Sequence, residues 1–391
     1  MSDDFTIEKN TDLSISVATD MYGDVTTRPV RAYERINNVG LLQKSLAIVD
    51  CQYFPFDPAK SCQGGSETWI IEIAKVFTKN NWHVVVFANV QGLMILNGIE
   101  YYPFDLLEYR CKYQIFDIVI FSRGMLFSNS IISRRNYMMF HDLGLAKPIP
   151  QPEIKNIIKL DRIYALSEYA KQFVKNRIFN LPAEKFFITH NGIDYGLYRP
   201  AKHKEISMVW SSCKERGFDF FIKNVMPEIT ARIPDFILHV CSYNNYGDAD
   251  YADIPSELKS HVKFHGRLDK KSLADLQCSA KIWCYPNLGY LDLNPNNEFG
   301  ETFCITAVEN LAADNVIITG DFGGLQTTLS GYPLLGREYY ADDKIPLSRL
   351  SEYGKYLADY CIDALLDKYK PVYDGDKYKY TWDNAFLDFI S

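Results

Sequence analysis

No C-x-x-C pair occurs among the nine cysteines, which stand at 51, 62, 111, 213, 241, 278, 284, 304 and 361. The count is odd, and several lie in apolar runs such as Ile282-Trp283-Cys284-Tyr285. A disulfide frame and a zinc ribbon are therefore not expected; the pattern reads as reduced core thiols of a cytosolic protein. Long apolar runs are missing too, since none approaches the ~18 residues that a membrane-spanning helix needs. The start, Met-Ser-Asp-Asp-Phe-Thr, is acidic with no apolar stretch behind it, so no secretory signal is expected. Positive charge is in short supply. Lys and Arg number 42 against 49 Asp and Glu, and the net charge of −7 argues against a nucleic-acid binder. Neither G-x-G-x-x-G nor a Walker A sequence occurs, so nicotinamide and ATP readings lack their usual loop. The expected location is cytoplasmic, with peripheral contact to a membrane left open.

What is present suits two packed cores: 391 residues are too many for one ordinary domain. Residues 1–200 carry 22 basic against 21 acidic side chains, and residues 201–391 carry 20 against 28, as two domains with different partners would. Ser45–Asp50 is a short continuous apolar run ending in an acid, the pattern of a buried parallel strand. Trp69, Ile70, Ile73, Ala74 and Phe77 recur at helical spacing over Thr68–Lys79. Strand-like runs follow at Val84–Phe87, Ile118–Phe121, Tyr137–Phe140, Ile163–Leu166 and Phe186–Thr189, mostly separated by helical stretches. After Asn191-Gly192 and Pro200 the alternation restarts. Met208–Trp210, Phe236–Cys241, Val262–His265, Ile282–Tyr285 and Val316–Thr319 read as strands; Phe218–Ile233, Lys271–Ser279 and Thr302–Ala313 read as helices.

Repeated β-then-α order predicts an α/β protein with two doubly wound, Rossmann-like domains and a cleft between them. The expected division is an N-terminal extension of unassigned fold at 1–43, a first domain at 44–200, a second at 201–350, and a helical segment at 351–391. Tyr360–Tyr369 and Trp382–Ile390 are the helices expected in that last segment, which would pack back on the cleft or the first domain.

Ligands of open α/β sheets collect at the carboxyl ends of the strands, where loops enter helix N-termini. Gly64-Gly65-Ser66-Glu67 opens a helix soon after the first strand, and paired glycines let backbone N–H groups approach an anion. The plain alternative is a flexible turn. A second loop, Glu298-Phe299-Gly300-Glu301-Thr302-Phe303-Cys304-Ile305, leads into a helix that carries Glu309. Glu301 and Glu309 stand eight apart, a spacing that chance alone supplies in a chain with 18 Glu. Their context adds more, because a helix, a strand and Asp321-Phe322-Gly323-Gly324 follow. Carboxylates there suit neighbouring hydroxyls of a sugar or ribose, and free N–H groups near Phe303–Ile305 suit a diphosphate.

The stretch Glu301–Gly324 resembles the donor site of the family-four retaining glycosyltransferases of GT-B fold, the glycosyl transferases group 1. Further motifs follow in that family's order. They are Gly64-Gly65-Ser66-Glu67, Phe140-His141-Asp142, Asp161–Tyr169, Thr189–Asp194, Ser211-Ser212 with Arg216-Gly217, and Val262–Leu268. The resemblance covers residues 44–330 and implies a retaining transfer from a nucleotide diphosphate-sugar, with a UDP- or GDP-sugar expected and no obligatory metal. It implies Glu301 on the sugar's hydroxyls, Glu309 on the ribose, and His141 beside the reacting sugar. Gly64, Gly65, Ser212, Arg216, Arg267 and the backbone of Phe303, Cys304 and Ile305 would hold the nucleotide and its diphosphate. The acceptor, whether glycan, lipid or protein, would enter from the first domain.

Two departures from the family pattern stand out. Ser211-Ser212 occupies the place of a usual Arg, leaving Lys214 or Arg267 to supply that charge, and Tyr285–Asn297 is long and rich in Asn. Asp248-Ala249-Asp250 and Asp374-Gly375-Asp376 match the D-x-D pattern of metal-dependent transferases, but neither follows a strand in the right setting. Arg123, Arg134-Arg135, Lys171, Lys175 and Arg177 read as solvated charge, the alternative being attraction of an anionic acceptor. Trp382 reads as a packing anchor. Two rival functions remain: a nucleotide-sugar epimerase of similar shape, and an inactive sugar-nucleotide-binding homologue.

Overall fold

The structure is a computed structural model that describes residues 43–50, 55–59, 64–111, 114–124, 133–143, 159–177, 181–241, 254–289, 300–341 and 344–391. Residues 1–42 of the expected extension, the Asp248–Asp250 pair, and Glu298 with most of the Asn-rich segment lie outside the described residues.

Strand β1 (Ser45–Asp50) is buried along its whole length. It lies between β2 (His83–Ala88) and β5 (Phe116–Ser122), parallel to both, with Leu46 opposite Val84 and Ile118. Helices cover both faces of such a strand, so no position on it alternates to polar. The sheet has eight strands in the order β3-β4-β2-β1-β5-β6-β7-β8. The others are β3 (Met94–Leu96), β4 (Ile99–Pro103), β6 (Ser133–Phe140), β7 (Arg162–Ala165) and β8 (Phe186–Ile188). Only β3 runs antiparallel, as a hairpin with β4. The turn is Asn97-Gly98, both at positive φ (54° and 79°), as a tight hairpin demands.

Helix α1 (Gly65–Lys79) packs its predicted face of Trp69, Ile70, Ile73, Ala74 and Phe77 on this sheet. Asn81 at φ 61° ends it in a left-handed cap. Helices α2 (Leu107–Cys111) and α3 (Glu168–Arg177) belong to the same lobe.

The second sheet is wholly parallel, in the order β11-β10-β9-β12-β13. Its strands are β9 (Glu205–Trp210), β10 (Ile237–Cys241), β11 (Val262–Gly266), β12 (Ala280–Tyr285) and β13 (Val316–Thr319). The helices α4 (Lys270–Ser279), α5 (Ile305–Ala312), α6 (Leu325–Thr328) and α7 (Leu350–Leu365) complete this lobe. A further helical run spans 218–232, with Phe221–Val225 π-helical.

The last forty residues divide between the lobes. Helix α7 begins ten residues before the expected Tyr360 and ends at Leu365, with Asp367 at φ 61° just beyond. Its Tyr353, Leu357 and Cys361 are buried in the second core, beside β12, β13 and the 218–232 helical run. Helix α8 (Trp382–Ile390) instead returns to the first lobe. Phe386 lies 4.7 Å from Phe77, and Phe389 lies 4.4 Å from Tyr164 and 5.7 Å from Trp69. Trp382 is a buried anchor, as expected: a Cβ on Gly192 would stand 2.5 Å from its backbone nitrogen, so only glycine fits there.

Each sheet has a point where strand order reverses, and loops leaving there diverge to form a crevice. In the first it lies at β1 and β5; in the second it lies at β9, flanked by β10 and β12. The loops after β9 and β12 carry Arg216 and Glu301, and His141 directly follows β6, the next strand along from β5.

Candidate active site at the junction of the lobes

Arg216 and Glu301 meet directly. Arg216 ends a 3-10 turn (Lys214–Arg216) after β9, and the following Gly217, at φ 95°, turns the chain into the next helix. Its Nη1 donates to Glu301 Oε2 at 2.5 Å. The Tyr285 hydroxyl, at the end of β12, donates to the same oxygen at 3.3 Å. Glu301 Oε1 takes the backbone N–H groups of Thr302 at 3.1 Å and Phe303 at 3.4 Å. The carboxylate is 5% exposed, while the Arg216 side chain keeps 29%. Burial and then the nearby Glu301 charge push the Tyr285 phenol well above its ordinary pKa, so it stays a donor. Burial, followed by Glu301, does the same to the Cys304 thiol, which is neutral.

Helix α5 starts at Ile305, three residues later than Thr302, because Cys304 takes φ 67° and ψ 80°. That is left-handed backbone, which costs an L-residue about 1–2 kcal/mol. No side chain caps this helix start. The Phe303 N–H, expected to face a diphosphate, faces Glu301 instead, and its ring is buried edge-on to Tyr380 at 5.1 Å. The start of α1 also lacks a side-chain cap at Gly64. The two helix starts adjoin: a Cβ on Gly65 would lie 3.6 Å from Ile305 Cδ1. Two uncapped N-termini side by side make a region of positive potential suited to an anion.

His141 closes the arrangement from the first lobe. Its backbone oxygen accepts from Thr302 Oγ1 at 2.8 Å, which ties the loops of the two lobes together. The ring is 8% exposed and lies edge-on to Trp69, with centres 5.1 Å apart. Neither ring nitrogen has a hydrogen-bond partner among the described residues. Burial and then Arg123 hold its pKa well below 6.5, so the imidazole is neutral. Arg123, weighed above as surface charge, is part of this region. It sits at φ 70°, donates to Ser66 Oγ beside the glycine pair, and lies 3.5 Å from Asp142.

Glu309 falls in the second turn of α5 and is half-buried. Gln277 Nε2 donates to it at 3.3 Å, and the Tyr198 hydroxyl bonds to it as well. Burial raises its pKa, against the opposing pull of Lys270. The remaining candidates lie further out. Ser212 lends its backbone oxygen to Trp210 Nε1, and Arg267 is exposed at the end of edge strand β11. Lys214 stands 3.5 Å from Asp219. Arg134 and Arg135 open β6 at the amino end, away from the site, and Lys171 pairs with Glu168 at 2.9 Å. Asp374 and Asp376 sit in a turn where Asp376 accepts from the Tyr378 N–H. Among the described residues no group of three or more His, Cys, Asp or Glu could hold a metal ion, and no helix is long and apolar enough to cross a membrane. Tyr285, Thr302 and Trp69 went unnoticed as site residues. Tyr285 ends an apolar strand and Trp69 lies on the apolar face of α1, so pattern alone reads both as core, and Thr302 stands in a loop where pattern carries no signal.

Residues 206–335 match the family model for glycosyl transferases group 1. A phosphatidyl-myo-inositol mannosyltransferase of Mycobacterium tuberculosis is 26% identical over 165 residues, 41% of this chain and 38% of that protein. One from Mycolicibacterium smegmatis is 28% identical over 106 residues, 27% of this chain and 24% of that one. These matches thus span well under half of the curated relatives. Among solved structures, sucrose-phosphate synthase from Thermosynechococcus elongatus superposes with a TM-score of 0.58 at 14% identity, covering 89% of this chain and 97% of that one. WaaG, a glycosyltransferase involved in lipopolysaccharide biosynthesis, gives 0.57 at 13% identity, with 88% and 99% covered. The chain has the GT-B fold, and residues 206–335 of its second lobe match the glycosyl transferases group 1.

Proposed function

We propose that the protein is a retaining glycosyltransferase that moves a hexose from a UDP- or GDP-sugar to an acceptor entering from the first lobe. The observation that carries this reading is the Arg216–Glu301 pair at the start of α5, bridged through Thr302 to His141 of the other lobe. Cleavage of the bond to the anomeric carbon leaves negative charge on the diphosphate. Arg216 and the adjoining N-termini of α1 and α5 meet that charge with fixed positive potential, which lowers the barrier. In this reading they fill the place a metal takes in other transferases, so no metal is obligatory. Glu301 holds sugar hydroxyls, Glu309 the ribose, and the neutral His141 has two open ring positions for the sugar or acceptor. The closed junction keeps out water that would compete with the acceptor. The names of the mycobacterial relatives favour a lipid-linked acceptor over a protein. Transfer is favoured over epimerisation because the matching family model is one of glycosyl transferases.

A thermal-shift screen against UDP-, GDP-, ADP- and dTDP-hexoses tests the reading, since a ligand of the folded state raises Tm at saturation. One nucleotide series should raise Tm, and Arg216→Ala should abolish the shift. No shift with any of the four overturns the donor site. Proton NMR of the product then reads the anomeric configuration: an inverted product removes the retaining mechanism, and conversion of the sugar without an acceptor restores the epimerase.

A further inference from the structure

The Glu309 carboxylate is held by two neutral donors that come from different parts of the chain. Gln277 reaches it from the last turn of α4, and Tyr198 reaches it from the segment that links the lobes between β8 and β9. Lys270, at the start of α4, acts on it through space. Each donor is itself fixed. Tyr198 is 8% exposed and follows the turn Tyr195–Leu197, at whose start Asp194 Oδ1 accepts the Gly196 N–H at 2.8 Å. The Ala201 N–H donates to the Cys278 backbone oxygen at 3.1 Å, beside Gln277. Lys204 Nζ donates to the same oxygen at 3.2 Å, to the Ala313 oxygen at 2.7 Å and to Asn315 Oδ1 at 2.6 Å. Asn315 Nδ2 in turn donates to the Gln277 backbone oxygen at 3.0 Å, so the ends of α4 and α5 are tied to the linker. Gln277 is fully buried, yet its Oε1 has no hydrogen-bond partner among the described residues. An apolar side chain would avoid the cost of that unsatisfied acceptor. The amide is out of place as packing and in place as a donor to Glu309.

We propose that Tyr198 and Gln277 are positioning residues that set the plane of the Glu309 carboxylate, and that the fixed carboxylate makes the protein select ribonucleotide over 2′-deoxyribonucleotide donors. The inference rests on the reading of Glu309 as the ribose contact and names what holds it, which that reading leaves open. An ionised carboxylate offers about four acceptor directions. Gln277 and Tyr198 take two, and the half-buried side chain keeps the others for the neighbouring 2′ and 3′ hydroxyls. Both hydroxyls are met at once only if the carboxylate cannot turn about its last bond. Because neither donor is charged, the negative charge of Glu309 stays available to the ribose.

Calorimetry at pH 8 with UDP, GDP and their 2′-deoxy forms supplies the test. The wild type should bind the ribonucleotide about tenfold tighter than its deoxy form, the size of a hydrogen bond to a charged group. Tyr198→Phe keeps the ring and should cut that preference to about threefold or less, while the deoxy form binds within about twofold of its wild-type affinity. Gln277→Met keeps the volume and carries the same expectation from the other donor, should the tyrosine variant not fold. A folded variant that keeps or raises the preference, whether or not both forms weaken alike, overturns the positioning role, since lost packing does not tell a hydroxyl from a hydrogen. Equal binding of the two forms by the wild type overturns the ribose contact, and the positioning with it, and leaves the diphosphate site standing. Absence of binding of UDP and GDP to the wild type overturns the donor site itself.

Discussion

Cys304 is the residue that decides where α5 begins. A non-glycine side chain at φ 67° crowds its own backbone, and nothing caps the helix start behind it. The strain is kept where Glu301 turns back on its own N–H groups, so the loop between β12 and α5 ends abruptly at the cleft. Glycine adopts this conformation without penalty and alanine does not. Cys304→Gly should therefore be more stable than Cys304→Ala by about 1 kcal/mol, both having lost the same half-buried thiol. Urea titration of the two variants measures the difference, and an alanine variant equal to or better than glycine removes the strain argument. This conformation is also why the sequence placed the helix start at Thr302. Residues 302–304 are compatible with a helix by type, and the left-handed backbone of Cys304 is a feature that no local pattern reports.

At the scale of elements, much of the architecture was legible, and what was missed has specific causes. β1, β13 and α8 occur at their expected bounds, because each is a short apolar segment with clear punctuation at its ends. The β3-β4 hairpin was not seen: three residues are too few for periodicity, and the informative signal was the Asn97-Gly98 turn. The site was half legible. Glu301, Arg216 and His141 are brought together, whereas the Arg123 contact with Ser66 depends on loops far apart in sequence. Helix α8 shows how an element remote in sequence supports the site. Phe389 is fully buried, and Trp69 stands between it and the His141 ring. Phe389→Ala should cost about 3–5 kcal/mol in stability by chemical denaturation. A cost under about 1 kcal/mol would mean that α8 is not part of the first core.

Among the described residues, polar contacts tie the two lobes together. Besides Thr302 to His141, Thr327 Oγ1 accepts the Glu168 N–H at 3.2 Å, and the Tyr380 hydroxyl donates to the Thr327 backbone oxygen at 3.0 Å. Tyr169 of the first lobe lies edge-on to Phe322 of the second at 5.3 Å, and Phe303 and Val308 are buried in the first lobe's core, with Phe303 edge-on to Tyr380. The polar bonds are worth roughly 0.5–1.5 kcal/mol each, and the shared apolar contacts add to them. Thr302→Val keeps the volume and removes the bond, leaving the His141 oxygen without its partner in the closed form but hydrated in an open one. That asymmetry favours opening by about 1–3 kcal/mol, enough to change the dominant state where the two are close in energy. Small-angle scattering of the unliganded variant should give a larger radius of gyration than the wild type, returning toward the wild-type value at saturating nucleotide-sugar. On the function proposed above, the nucleotide-sugar would contact both lobes and so restore what the mutation removes. An unchanged radius would mean that the shared apolar core, and not the threonine bridge, sets the relation of the lobes.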